Sequence, residues 1–149
     1  MRVERAIVLP VSPAEAWSIL TDWERQADWM ADADRVEVRS AEREGVGVRL
    51  LVRTRVLGIL AFDEPIEVTG WDPPGRLEIR HGSLVAGAGA WRLERIDGGT
   101  RFAWTEDVRL RLPFGGELLA RCYRPLLAWL MHRSQTALRS HVIAIGPVR

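Results

Sequence analysis

The sequence of 149 residues contains no lysine and a single cysteine, Cys122. Without a lysine amine, the chain cannot form a Schiff base or use a Ser–Lys pair in catalysis. One cysteine excludes an intrachain disulfide and a metal site made of several thiolates. Because Cys122 falls on the apolar side of the helix predicted below, we interpret it as a small hydrophobic residue rather than a nucleophile.

The sequence also lacks an excess of charge of one sign. Its 21 basic residues are all arginine, they are interleaved with 20 acidic residues, and the net charge is +1. This balance provides no basic stripe that would neutralise a phosphate backbone, so nucleic acid is not expected as a partner. The exclusive use of arginine and the absence of asparagine indicate the codon bias of a GC-rich bacterial genome.

Long apolar runs are missing. The longest one late in the chain extends only from Leu126 to Met131, whereas a membrane-spanning helix needs about 20 apolar residues. The first residues also lack the apolar stretch of a signal peptide. We therefore expect a cytoplasmic protein without an integral membrane segment.

Motifs for metals and cofactors are missing as well. No HExxH, GxSxG or Walker pattern occurs. The glycine pairs Gly45/Gly47 and Gly87/Gly89 lack the third glycine of a dinucleotide site and do not open helices. Asp28, Asp32 and Asp34 superficially resemble the start of a calcium loop. Counting from Asp32, however, Glu37 and Arg43 stand where glycine and glutamate are needed. We expect no metal and no cofactor.

The composition of the sequence is typical of one globular domain. The hydrophobic share is 47%, the charged share is 28%, and no linker or repeat divides the chain. A chain of this length buries about two-thirds of its unfolded surface, enough for a real core. We therefore treat residues 1–149 as a single domain.

The chain begins with a predicted strand and two short helices. Val3 to Leu9 is typical of a strand. Ser12, Pro13 and Glu15 form a capping box with proline at the first helical position, which predicts a helix start. A second short helix is predicted from Trp23 to about Met30.

Six strand-like runs follow, and one long helix ends the chain. From Asp34 to Leu110, apolar and polar residues alternate between turn signals, and Gly87 and Gly89 predict a bend in the sheet. From Glu117 to about Ile145 the apolar residues have helical spacing, and Pro125 predicts a kink. Such a lone helix must lie across the sheet, because nothing else covers its apolar face. Its predicted polar stripe consists of Glu117, Arg121, Arg124, His132, Gln135 and Arg139.

This order resembles the helix-grip fold of the START-like superfamily, also called SRPBCC, which includes polyketide cyclase/dehydrase-type proteins. The resemblance implies an α+β fold in which a seven-stranded curved antiparallel sheet wraps around a long C-terminal helix, with two short helices after the first strand. The similar segments are spread over nearly the whole chain: Val3-Glu4-Arg5, Val11-Ser12-Pro13-Ala14-Glu15-Ala16-Trp17, Trp71-Asp72-Pro73-Pro74, Trp91-Arg92-Leu93, Gly99-Thr100-Arg101-Phe102 and Trp104-Thr105-Glu106.

The resemblance further implies that an apolar or amphipathic small molecule, such as a lipid, polyketide or quinone, binds between the sheet and the final helix. No catalytic motif of a subfamily is found, and whether the chain is an enzyme stays open. Either a monomer or a homodimer is expected. The residues expected to contact the ligand are Val52, Thr54, Phe62, Glu64, Ile79, His81, Trp91, Phe102, Trp104, Glu106, Tyr123, Leu127 and Met131.

Alternation places His81 and Glu106 among apolar neighbours, with Glu64 less certain because the strand near Pro65 is expected to bulge. Such groups are candidates for orienting a ligand or for acid–base catalysis, as in a polyketide cyclase or dehydrase. The alternative is that they are satisfied in the core by the backbone, by arginine or by one another.

The seven tryptophans are numerous for this length. We assign Trp91 and Trp104 to the interior and Trp71 to a structural role at its Pro-Pro turn. Trp23 and Trp29 are candidates for a cavity mouth or, with Trp129, for a partner surface on a non-catalytic interaction module.

Overall fold

The structure, a computed structural model, describes residues 1–145. Seven strands and two α-helices follow the predicted order. The elements are β1 (Arg2–Leu9), α1 (Pro13–Leu20), a 3₁₀ helix (Trp23–Asp28), β2 (Ala33–Val38), β3 (Arg49–Val56), β4 (Leu60–Asp72), β5 (Arg76–Gly82), β6 (Val85–Ile96), β7 (Gly99–Leu110) and α2 (Gly116–Ile145).

The strands form one antiparallel sheet in the order β1-β7-β6-β5-β4-β3-β2. The chain passes from β1 to the far edge at β2, and each later strand then pairs with the one before it until β7 returns to β1. The long helix α2 packs on β1 and β7, and α1 packs on β6 and β7. The predicted helix-grip arrangement of a curved sheet around a C-terminal helix is confirmed.

The capping box is present at α1. Ser12 Oγ accepts the backbone N–H of Glu15 at 3.2 Å, and Pro13 is the first helical residue. The second short helix is a 3₁₀ helix that ends at Asp28, instead of the helix to Met30 that we predicted. Asp22, at its N-cap, makes no side-chain capping bond, which leaves this short segment without the support that α1 has.

Two details of the sheet differ from expectation. The strand around Pro65 keeps a regular register opposite Leu51, and the irregularity in β4 lies instead between Val68 and Gly70. Glu64 therefore keeps the inward orientation that alternation gives it. Gly87 has a φ of +134°, a conformation that residues with a side chain rarely adopt, and a Cβ there would overlap the Asp107 carbonyl.

The long helix continues through Pro125. Its polar stripe is wrong at Gln135, which is 1% exposed. The Gln135 amide donates a hydrogen bond to the Arg5 carbonyl of edge strand β1 at 2.9 Å. With a longer bond of 3.4 Å to the Phe102 carbonyl of β7, Gln135 ties α2 to both strands.

Candidate functional site

An interior cavity of about 90 Å³ lies between the sheet and α2. Its walls come from the 3₁₀ helix and its following turn, from β3 to β7, and from the middle of α2. Most of the lining is apolar. The aliphatic, methionine and phenylalanine side chains of the lining are Met30, Leu50, Val52, Phe62, Ile66, Leu77, Ile79, Val85, Val108, Leu127, Leu130 and Met131.

A charged network is buried in this apolar surrounding. His81 Nδ1 lies 2.6 Å from Glu64 Oε1, and His81 Nε2 lies 2.8 Å from Glu106 Oε2. The Trp104 indole N–H donates to the other oxygen of Glu106 at 2.8 Å. Thr54 completes the chain with a long bond to Glu64 at 3.4 Å. The three charged side chains come from β4, β5 and β7, whose alternation turns all of them to the interior face.

His81 is protonated at neutral pH. Burial by itself lowers the pKa of His81, but the hydrogen bonds to Glu106 and Glu64, together with their charges, outweigh burial and raise the pKa to about 10. Only the imidazolium can donate from both ring nitrogens, which fits a glutamate oxygen at hydrogen-bond distance from each nitrogen. The network is therefore one cation between two carboxylates, with a net charge of −1.

A glycine makes room for this network. Gly89 in β6 pairs with Glu106 in β7, and a Cβ at Gly89 would lie 2.8 Å from Glu106 Oε1. That distance is far shorter than carbon–oxygen contacts allow. The missing side chain at position 89 thus lets the Glu106 carboxylate fold back to reach both Trp104 and His81.

Asp32 and Tyr123 also line the cavity. Burial, together with the charges of Glu64 and Glu106, raises the pKa of Asp32 to about 6. Burial and the charges of the same carboxylates, with that of Asp32, also raise the pKa of the Tyr123 hydroxyl, which therefore stays protonated. The sequence analysis considered Asp32 only as a calcium ligand. It lies in an irregular turn before β2, where no periodicity indicates which way a side chain points.

All but one of the residues expected to contact a ligand surround this cavity. Phe102 does not, because it is completely buried and packs behind Trp91 and Trp104 at centroid distances of 5.8 and 6.4 Å. The sequence analysis also missed Gln26 and Ser134, which both line the cavity.

The surface role considered for Trp23 and Trp29 is wrong. They are 1% and 2% exposed, and Trp23 lines the cavity. Its indole N–H donates to the Arg43 carbonyl at 2.8 Å, which explains how so large a polar ring is accommodated inside. Trp129 does lie on the surface, at 45% exposure.

An apolar groove of about 330 Å³ adjoins the cavity. Three side chains, those of Phe62, Val85 and Tyr123, line both spaces and separate them. Cys122, which is exposed, also lines the groove. The remaining lining comes from the end of β3, the start of β4, the loop before β6, the end of β7 with the loop that follows it, and the first turns of α2: Val56, Leu60, Leu84, Leu110, Leu112, Leu119 and Leu126.

Among residues 1–145, no three histidine, cysteine or acidic side chains are grouped so that they would hold a metal ion. Both ring nitrogens of His81 are already engaged by carboxylates. Over the same described range, no helix is both long and apolar enough to cross a membrane.

Residues 1–142 match the model of a family described as polyketide cyclase / dehydrase and lipid transport. The chain belongs to this family. Among curated proteins, none matches the sequence. The family membership and the fold place the chain in the START-like superfamily that its sequence resembles.

Solved structures share the fold of this family member. TTHA0849 from Thermus thermophilus superposes with a TM-score of 0.85 at 20% identity, covering 98% of this chain and 99% of that one. A START superfamily protein from Mycobacterium smegmatis gives 0.81 at 14% identity, covering 97% and 98%. The Zhui aromatase/cyclase from Streptomyces sp. R1128 gives 0.73 at 22% identity, covering 99% of both chains.

Proposed function

We propose that this protein binds an apolar or amphipathic small molecule between its sheet and α2. The observation that carries the proposal is the combination of a mostly apolar cavity between sheet and α2 with the charged network Glu64–His81–Glu106 in its wall. Ligand sites are typically concave and apolar with a few polar groups that fix orientation. A protein that needed only a core gains nothing from carboxylates in this position, since burying them costs free energy.

The volumes of the cavity and of the adjoining groove determine which part of a ligand each can hold. The cavity of about 90 Å³ holds only a small headgroup, whereas typical ligand sites occupy about 300 to 1,000 Å³. The adjoining groove of about 330 Å³ supplies the rest. A ligand that uses both displaces the dividing side chains of Phe62, Val85 and Tyr123. Its polar end then faces the charged network, and its apolar body lies against the first turns of α2.

Binding can be measured with the neutral fluorescent probe N-phenyl-1-naphthylamine. Its emission should rise when it enters the cavity. Ile79→Trp fills the cavity and should abolish the increase, whereas Val46→Trp, at a position that is 67% exposed, should leave it unchanged. Circular dichroism checks that both variants fold.

Native mass spectrometry of freshly purified protein should reveal a co-purifying apolar compound. Absence of probe binding to the unaltered protein would refute the proposal.

A second candidate function is acid–base catalysis on a polyketide-like substrate. It is favoured by Asp32, whose pKa of about 6 suits a proton acceptor near neutral pH and which lines the same cavity as His81. In such a step, a carboxylate removes a proton from the carbon between two carbonyls, and the resulting enolate returns to the ketone by taking a proton back.

This candidate is tested with benzoylacetone in deuterium oxide. The protein should accelerate exchange of the protons between the two carbonyls, as followed by nuclear magnetic resonance. Asp32→Asn should remove the acceleration while binding of the fluorescent probe persists. Equal loss of binding and exchange, or an exchange rate that matches buffer alone, would favour a carrier without catalysis.

A further inference from the structure

The charges around the cavity specify a kind of ligand, provided that the proposed binding function holds. The lining contains three carboxyl groups, those of Asp32, Glu64 and Glu106, and one imidazole, that of His81. None of the chain's 21 arginines is among the described lining residues. With His81 protonated, one carboxylate of the network is left without a countercharge, and an ionised Asp32 adds a second negative charge.

Asp32 is the carboxylate without a side-chain partner among residues 1–145. Glu64 and Glu106 are both bonded to His81. The Asp32 carboxyl accepts a hydrogen bond from its own backbone N–H, and its charged neighbours are the two glutamates and, with a smaller effect, His81. A carboxylate in a poorly solvated site is costly unless a cation or a donor pairs with it. The free side of Asp32 therefore has room for a positively charged group that the chain itself does not supply.

Aromatic rings line the same space. Trp23, Trp91, Trp104 and Tyr123 contribute to the wall, and the faces of such rings attract organic cations. Trp91 and Trp104 stand edge to face at a centroid distance of 6.3 Å. Three carboxyl groups combined with aromatic faces, with one imidazole and no arginine, form a favourable environment for an ammonium group. The same environment repels a carboxylate or phosphate headgroup.

We propose that the ligand of this protein is a cationic amphiphile, whose protonated amine pairs with Asp32 against the aromatic wall and whose apolar body lies in the groove. The Tyr123 hydroxyl, at the boundary between cavity and groove, is available to donate to a polar atom next to the amine. A neutral ligand would leave Asp32 without a countercharge, and an anionic one would add a negative charge to a cavity that already has an excess.

Three probes with the same eight-carbon tail separate these alternatives: octylamine, 1-octanol and octanoate. Displacement of N-phenyl-1-naphthylamine at pH 7.5 gives the affinity of each. We expect octylamine to bind about tenfold or more tightly than 1-octanol, which corresponds to one partly buried ion pair, and octanoate to bind most weakly. Asp32→Asn should abolish the advantage of octylamine over 1-octanol.

Asp34→Asn is the matched control, since Asp34 lies two residues away, is exposed and pairs with Arg55 at the surface. It should keep the preference for octylamine. If 1-octanol or octanoate binds as well as octylamine, the charge proposal is overturned while the binding function stands. If Asp32→Asn weakens all probes equally, the assigned role of Asp32 is wrong. Failure of every probe, including the naphthylamine, would overturn both proposals.

Discussion

At the scale of single residues, His81 lies between two carboxylates, those of Glu64 and Glu106, that would otherwise repel each other. Its ring joins two carboxylates at 2.6 and 2.8 Å, and its side chain is only 10% exposed. Buried ion pairs contribute little compared with an apolar core of the same shape, yet removing one partner is costly because the other charge stays buried. Glu64 and Glu106 are thus tolerable inside only because a cation lies between them.

The substitution His81→Gln tests this dependence. It should lower the free energy of unfolding at pH 7 by about 3 kcal/mol, because it leaves two neighbouring carboxylates without a cation. Urea unfolding followed by circular dichroism measures the loss. The exposed His132→Gln serves as control and should change stability by less than about 0.5 kcal/mol.

Adding Glu106→Gln to His81→Gln should restore part of the lost stability, since it removes one of the unpaired charges. A purely steric role for His81 predicts the opposite: the double variant would then be less stable than the single one. Equal losses for His81→Gln and His132→Gln would also contradict an ion-paired network.

At the scale of elements, the strand pattern predicted the site better than the helices and turns did. Side chains alternate strictly along a strand, so the positions of His81 and Glu106 followed from their apolar neighbours. Asp32 lies in a turn without a period, which is why its inward position was not predicted. Gln135 was assigned to the polar stripe because a buried glutamine has the same sequence pattern as an exposed one. Its backbone partner, Arg5, is distant in the chain.

Gly89 of β6 leads to a prediction at the scale of elements. Gly89→Ala should displace the Glu106 carboxylate, because the new methyl group would contact Glu106 Oε1. The Trp104 indole would then lose its acceptor, and we expect a loss of about 1 to 3 kcal/mol in stability. Trp104 fluorescence in a variant whose other tryptophans are replaced by phenylalanine should shift. Ala90→Gly, at the next position of β6, controls for strand propensity.

If Gly89→Ala leaves both the stability and the Trp104 emission unchanged, the proposed need for space at position 89 is wrong. If stability falls but the emission does not, the cost arises from the backbone rather than from the carboxylate. The two measurements thus separate an effect on the charged network from an effect on the sheet.

At the scale of the whole molecule, the fold places destabilising groups where a ligand would meet them. An apolar space lies between the sheet and α2, and the sheet together with the turn before β2 brings three carboxyl groups into it. A sequence selected only for stability would replace Asp32 by an uncharged residue, since it lacks a counterion. Retained strain of this kind is common at functional sites, where stability is exchanged for binding or catalysis.

The raised pKa values of Asp32 and His81 predict how the stability of the protein depends on pH. The pKa of Asp32 is raised to about 6 in the folded protein from 3.8, so the folded state holds this proton more tightly than the unfolded state does. Ionisation of Asp32 therefore removes stability as pH rises from 4 to 6. The pKa of His81 is raised to about 10 from 6.5, so its contribution is complete below pH 6.5 and is lost as pH rises to 10.

Asp32→Asn isolates the first of these effects. The variant should be more stable than the unaltered protein by about 2 kcal/mol at pH 7.5, after allowance for partial solvent screening, and the two should converge near pH 4. Urea unfolding at half-unit pH intervals gives the difference curve, in which ordinary surface carboxylates cancel. His81→Gln should instead change the curve between pH 6.5 and 10. A stability difference for Asp32→Asn that stays constant from pH 4 to 7.5 would show that ionised Asp32 is not destabilised in the folded protein and therefore does not need a cationic ligand group.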